Sequence, residues 1–376
     1  MRERRPGVWE LIVQLPRDPS GARYPQLSRT VRGTKRDAQR ALAELVTEVS
    51  AGKVNASNTT VTALLERWVA HVENDLSPTT MREYRRLIAK RIGPDLGKHT
   101  LRQITAQRLD AYYAALTNDH GLSAATIRHI HAVLRGALGQ AVRWGWISTN
   151  PAASASPPKL RKANITPPAI AETHSILSAA DAHDPDFGAL LRVLAATGAR
   201  RGEVCGLRWS DLDPAAGTLA IQRSVASVGG GTVVKDTKTH ADRRIALDPD
   251  TVAVLAERRQ RQERSATMCG VQLGPDAFMF STAPDGSQPL HPDTITGGFR
   301  RICTKVGLKG VRLHDLRHLH ATQLLAAGVP VRTVSGRLGH ANAATTMNVY
   351  AAFVEASDQD AAAVIGGLLK PTTRST

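Results

Sequence analysis

Ala196-Thr197-Gly198-Ala199-Arg200-Arg201-Gly202-Glu203 is the stretch on which the reading of this 376-residue chain turns. A helical run over 186–196 precedes it, and Gly198 is placed to terminate that helix. Arg200 then stands near the start of the next helix, where backbone N–H groups are free and an arginine can reach a phosphate bidentately. Glu203, three residues on, can orient that arginine. Taken alone, the stretch reads as an ordinary surface ion pair. Its meaning comes from what lies further along.

Downstream, His314-Asp315-Leu316-Arg317-His318 spaces its basic residues three and four apart, so one helix face carries them all. Two histidines at this spacing invite a zinc reading. Asp315 stands where that motif has Glu, Arg317 puts a cation on the same face, and no third ligand follows, so no metal is expected. Leu338-Gly339-His340 and Thr345-Thr346-Met347-Asn348-Val349-Tyr350 come next. Lys238, in Lys235-Asp236-Thr237-Lys238, falls in an expected turn between two strands.

In this order the elements closely resemble the signature of the tyrosine recombinases, the phage-integrase family: Thr-Gly-x-Arg with an acidic partner, a strand-turn Lys, His-x-Leu-Arg-His, Leu-Gly-His, and Tyr ten residues later. The resemblance runs from about residue 60 to 365. It places the family's two active-site arginines on Arg200 and Arg317, its histidines on His314 and His340, and its nucleophile on Tyr350, with Glu203 in support. The lysine falls on Lys238, with Lys235 as the alternative. One departure is that Ala-Ala-Phe follows Tyr350 where many relatives have Ala-His.

The resemblance implies covalent attack by Tyr350 on a DNA phosphodiester, leaving a 3′-phosphotyrosyl link that retains the bond energy, so neither ATP nor any other cofactor is needed. Arg200, Arg317 and His340 would clamp the phosphoryl oxygens. His314 would accept the phenol proton, and Lys238 would protonate the departing 5′ oxygen.

Working outward, the charge is consistent with such a partner. The chain has 49 Lys+Arg against 33 Asp+Glu, a net +16, which attracts phosphate polyanions. Fifteen aromatic residues (5 Phe, 5 Trp, 5 Tyr) are few for a protein that stacks single-stranded bases, so duplex DNA is the better partner. Residues 1–58 carry 11 basic and 6 acidic side chains, residues 59–164 carry 15 and 7, and the remainder carries 23 and 20. The surplus therefore sits mostly in the first 164 residues. With 42% hydrophobic residues the chain can bury real cores, and no apolar run approaches a membrane span or a signal peptide. Three widely spaced cysteines offer neither a disulfide framework nor a zinc motif, so a reduced, cytoplasmic protein is expected, and the resemblance implies that it is nucleoid-associated.

The expected fold is mainly α with small β elements, in three domains. Residues 1–58 read as a small β-sheet plus one helix: strands near Val8–Val13 and Ser28–Val31, turn residues at Asp18-Pro19-Ser20-Gly21, and a helix from Lys35 to Ser50 capped by Thr34. This module looks like the arm-type DNA-site-binding domain of integrases related to lambda integrase. Residues 59–150 read as four helices: 62–71, one beginning at Ser77-Pro78, 105–116 and 123–144. They suit a helical, SAM-like core-site-binding domain. Proline and small residues make 151–168 a linker, and 169–376 the mixed α+β catalytic domain, with strands near 218–224, 231–234 and 244–247. Lys35, Arg36, Arg82, Arg85, Arg86 and Arg128 are candidate DNA contacts; a solvated charged face explains them equally well.

An amphipathic tail over 351–370 (Val354, Val364, Ile365, Leu368, Leu369) matches the exchange helices with which family members engage a neighbouring protomer. The implied partners are double-stranded attachment sites, a homotetramer on synapsed DNA formed from monomers, an excisionase and a DNA-bending protein. The implied function is site-specific integration or excision of a phage or mobile element. A non-catalytic DNA-binding or architectural protein would not need a nucleophile at position 350; a type IB-like topoisomerase would share the chemistry but not the N-terminal module.

Overall fold

In a computed structural model the chain is described over residues 1–14, 26–50, 59–160, 167–236, 242–340 and at 365. Lys238, Tyr350, the turn at 18–21 and the tail, apart from Ile365, lie outside these residues. The chain divides into two compact units, Met1–Lys162 and Ala163–Thr376.

In the first unit, strands β1 (Arg2–Arg5), β2 (Val8–Gln14) and β3 (Gln26–Arg32) form an antiparallel sheet in that order. Alternation along β2 sends Trp9, Leu11 and Val13 to one face, where they meet Ala38, Leu42 and Leu45 of helix α1 (Lys35–Ser50). Glu10 points the other way and accepts from both Arg2 and Arg4, at 2.7 and 2.8 Å. Thr34 caps α1 reciprocally: its hydroxyl accepts from the Asp37 backbone N–H at 3.3 Å, and the Asp37 carboxylate accepts from the Thr34 N–H at 2.9 Å.

The helical part follows as α2 (Val61–Val72), α3 (Pro78–Leu87), α4 (Gly93–Leu96), α5 (Ala106–Asn118), α6 (Ala124–Arg143) and α7 (Pro151–Ser154). Hydroxyls of Thr60, Ser77, Thr105 and Ser123 cap the four long helices, which is why their starts could be read from the sequence. Their inward faces share one core containing Leu64, Leu65, Trp68, Leu109, Ile127 and Leu134. A π-helical turn over Ile88–Ile92 joins α3 to α4, so the helix that begins at Ser77-Pro78 continues there with wider winding.

The expected linker begins later than proline content suggested. Asn150 caps α7 by accepting from the Ala152 N–H at 3.0 Å, and it also donates to the Arg135 carbonyl at 2.9 Å. Ala152 is fully buried, and the Ser156 N–H donates to Asp110 at 2.6 Å. Asn-Pro here is an N-cap followed by an N1 proline, not a chain breaker.

The second unit holds α8 (Ile170–His183), α9 (Pro185–Thr197), α10 (Arg201–Cys205), α11 (Pro249–Met268), α12 (Pro292–Lys305), α13 (Leu313–Ala326) and α14 (Val331–Leu338). β4 (Leu212–Asp213), β5 (Thr218–Ile221) and β8 (Arg243–Ala246) form one antiparallel sheet; β6 (Arg223–Val228) and β7 (Gly231–Asp236) form a separate hairpin. The single strand expected over 218–224 is thus two, parted at Gln222, because residues on either side of it pair with different partners. Leu190, Leu191, Leu255, Phe299, Ile302 and Leu316 lie in the common core. Cys205, Cys269 and Cys303 are free thiols, and among the described residues no helix is long and apolar enough to cross a membrane.

Two helical glycines respond to a methyl group in opposite directions. A Cβ at Gly188 of α9 would lie 1.7 Å from Asp181 Oδ1 and 2.9 Å from the Asp181 Cα, whereas Gly297 of α12 has nothing within 4 Å. Gly188→Ala is expected to lower the unfolding free energy by about 1–3 kcal/mol. Gly297→Ala is expected to raise it by about 0.5–1 kcal/mol. Chemical denaturation of the full chain checks both, and shifts of the same sign would contradict this packing.

Candidate active site

The site is assembled around two helix ends: the C-terminus of α9 and the C-terminus of α14. Gly198 closes α9 with φ 62° and Gly339 closes α14 with φ 67°, both in the left-handed region that glycine adopts without strain. After Gly339, the His340 N–H returns to the Ser335 carbonyl at 3.0 Å, which fixes where His340 begins.

Arg200 is the N-cap residue of α10. Its backbone N–H donates to Glu203 Oε2 at 2.8 Å and its Nη1 to Oε1 at 2.9 Å, so a single carboxylate starts the helix and aims the guanidinium. Nη2 reaches across to the Gly339 carbonyl at 3.1 Å. Arg317, on α13 and only 4% exposed, donates to the Gly198 carbonyl at 2.6 Å and to the Leu338 carbonyl at 2.8 Å. The two arginines read from the sequence thus hold successive carbonyls at the end of α14.

α13 starts at Arg312, whose backbone N–H and Nη2 donate to the buried Asp315 carboxylate at 2.8 and 3.0 Å. His314 lies in its first turn and meets His318 edge-on, ring centres 4.8 Å apart. His314, Arg312 and Arg317 line part of a cavity of about 360 Å³ whose apolar floor includes Leu194, Leu313 and Leu316.

The histidines are held neutral. Burial, then the charge that His318 would carry if protonated and the Arg317 and Arg200 guanidiniums, push His314 down to about 4, against the pull of Asp315. Burial followed by Arg317, Arg200, His314 and Arg243 does the same to His340, also to about 4. Both feel both arginines, which marks the four side chains as one electrostatic cluster.

Sequence reasoning passed over three further residues. Arg243 on β8 donates to Glu203 Oε2 at 2.6 Å and to the Arg337 carbonyl at 2.9 Å. Arg337 donates to the carbonyls of Ala196 and Ala246 at 3.1 and 2.9 Å. His320 bonds the Ala195 carbonyl through Nδ1 at 3.0 Å, so Nδ1 carries the proton and Nε2 accepts from Arg337 Nε at 3.2 Å. Their partners are mostly main-chain carbonyls, which leave no mark in a sequence.

Lys235 lies on β7 opposite Ser224, and Lys238 and Tyr350 fall outside the described residues. Lys35 and Arg36 are exposed on α1, Arg82, Arg85 and Arg86 on α3, and Arg128 on α6. Arg85 pairs with Glu73 and Arg86 with Glu83, each at 2.6 Å. Among the described residues no group of three or more His, Cys, Asp or Glu side chains could hold a metal ion.

Comparison with known proteins agrees with this architecture. Residues 170–356 match the phage integrase family, and residues 60–116 match the phage integrase N-terminal SAM-like domain. The ICEBs1 integrase of Bacillus subtilis is 24% identical over 347 residues, spanning 92% of this chain and 93% of that protein. The Tn1549 transposon integrase, solved in complex with transposon right end DNA, superposes with a TM-score of 0.66 at 21% identity, covering 77% of this chain and 94% of that one. Lambda integrase, solved as a tetramer bound to a Holliday junction, gives a TM-score of 0.57 at 21% identity over 92% of this chain and 96% of that one. With both domain types matched in chain order and Arg200 and Arg317 closed around the end of α14, the chain belongs to the phage integrase family and is a tyrosine-type site-specific recombinase.

Proposed function

We propose that this recombinase cuts and rejoins duplex DNA at attachment sites through a 3′-phosphotyrosyl intermediate on Tyr350, integrating or excising a phage or other mobile element. The observation that carries the reading is the convergence of Arg200 and Arg317 on adjacent carbonyls beside two neutral histidines. A phosphodiester bound there gains charge on its equatorial oxygens as the tyrosine attacks, and fixed guanidiniums stabilise that charge. An unperturbed tyrosine is only about 0.1% ionised at neutral pH, so attack needs a base. His314, uncharged at neutral pH, is free to take the phenolic proton, while His340 supplies a hydrogen bond to a phosphoryl oxygen. Lys238, or Lys235 in its place, protonates the departing 5′ oxygen, and reversal of these steps on a new 5′ hydroxyl reseals the strand.

The modules divide the grip. Residues 1–58 hold arm-type sites, the helical domain from residue 59 through the α7 turn holds the core site, and 169–376 perform the chemistry. Arg2 and Arg4, sharing the single acid Glu10, support a cationic outer sheet face near Lys35 and Arg36 in the chain. Arg82 and Arg128 add charge in the helical domain. The ion pairs of Arg85 and Arg86 are exposed, and such pairs are weak enough to yield to phosphate. The lambda tetramer on its junction supports a homotetramer on synapsed DNA here, its protomers linked by the tail over 351–370. An excisionase and a DNA-bending protein complete the reaction in the cytoplasm, on DNA of the nucleoid.

A suicide duplex carrying the attachment site tests the assignment. The wild type is expected to form a covalent adduct on a denaturing gel, undiminished by EDTA, and Tyr350→Phe to form none. An adduct that survives the substitution would move the nucleophile elsewhere. The acid limb provides a second check. Because both histidines titrate well below the ordinary value, the cleavage rate at sub-saturating DNA, which follows the free protein, should stay level from about pH 8 to about pH 5 and then fall as His314 is protonated. A midpoint at about 6.5, the value of an ordinary histidine, would exclude His314 in this environment as the base.

A further inference from the structure

We propose that Arg243 is a positioning residue for the recombination chemistry, fixing both the Arg200 guanidinium and the carbonyl register from which His340 departs. The inference rests on the active-site reading above and adds a residue to it. Arg243 begins β8, outside every motif that pointed to the site, yet its guanidinium is only 8% exposed.

Its contacts explain the burial. Nη2 donates to Glu203 Oε2 at 2.6 Å, Nη1 approaches Oε1 at 3.4 Å, and Nε donates to the Arg337 carbonyl at 2.9 Å. Arg200 uses the same carboxylate through Oε1 and takes the Gly339 carbonyl. Arg317 takes the Leu338 carbonyl between them. Carbonyls 337, 338 and 339 therefore each accept from a different arginine, and Arg243 holds the first. The approach is close: a Cβ at Gly339 would come within 2.7 Å of Arg243 Nη1.

Glu203 is the joint of this arrangement. Its side chain is 2% exposed, and a buried carboxylate must find counter-charge or take up a proton. Arg243 makes the shorter and more buried of its two ion pairs. Without Arg243, Glu203 would have to satisfy itself with Arg200, drawing that guanidinium away from Gly339 and from any phosphate it serves. The Arg337 carbonyl would lose its donor in the same event. A planar five-donor fork serves carboxylate and carbonyl together; a lysine ammonium, as a point charge, does not.

The test uses the full chain with Arg243→Gln and Arg243→Lys. In single-turnover cleavage at saturating attachment-site duplex, Arg243→Gln is expected to be slower by about 100-fold, as displacement of a positioned group is. Its DNA affinity should stay within about threefold, since Arg243 acts through Arg200 and not on the backbone itself. At sub-saturating duplex, where the rate follows the free protein, the acid limb of its rate profile should move to higher pH, because Glu203 loses the partner that does most to hold it ionised. Arg243→Lys, keeping charge but not the fork, should recover most of the profile and less of the rate. A purely architectural role would lower activity equally at every pH, in step with the folded fraction, and that result would overturn the proposal. So would an Arg243→Gln rate within about threefold of wild type.

Amide hydrogen exchange in the DNA-free protein separates this inference from the reading it rests on. Exchange over residues 337–340 is expected to accelerate in both variants while α9 and α12 stay unchanged. Unchanged exchange at 337–340 would overturn the positioning role. Wild-type protein that forms no adduct would instead remove the recombination reading, and the exchange result would still decide the tie between Arg243 and α14.

Discussion

A helix C-terminus ends in carbonyls that have no partner within the helix, and in this protein three in succession are met by guanidiniums. Arg243, Arg317 and Arg200 take the carbonyls of Arg337, Leu338 and Gly339 in turn. Each is a hydrogen bond with a charged donor, of the stronger kind. The negative end of the α14 dipole favours the cations that approach it. The catalytic unit brings α13, β8 and the α9–α10 turn to one point so that these donors can converge. His340 follows at once from the end they define.

Such a convergence has an electrostatic cost, and the surroundings show how it is met. Glu203 supplies one buried negative charge to Arg200 and Arg243, and both guanidiniums act on His340. His314 and His340 respond by staying neutral, so the cluster does not accumulate two more charges before a polyanion arrives. The overall surplus of +16 has a different role. Thirteen of the sixteen surplus charges fall within the first 164 residues, where they contribute long-range attraction and salt sensitivity.

What the sequence made legible was local. Ser77-Pro78, Thr34 with Asp37, and Gly198 before Arg200 are each written within a few residues, and caps and left-handed glycines follow from such short-range chemistry. The alignment of Arg200, His314, Arg317 and His340 was legible through motif order. Arg243 and Arg337 were not, because their partners are main-chain carbonyls and a carboxylate 40 to 141 residues away along the chain, and nothing near them signals it. Gln222 could not be read as a boundary, since residues on both sides are β-forming and only the choice of pairing partner divides them. Asn150-Pro151 was misread because one composition serves both a linker and a capped helical turn.

Addressing the site through main-chain oxygens also separates geometry from side-chain identity along α14. Every residue type offers the same carbonyl, so exposed positions there can change without altering where Arg243, Arg317 and Arg200 dock. Gly339 is the exception, fixed by its φ of 67° and by the guanidinium pressed against its Cα. An arrangement of this kind can hold its shape through extensive drift, provided the arginines and one glycine persist.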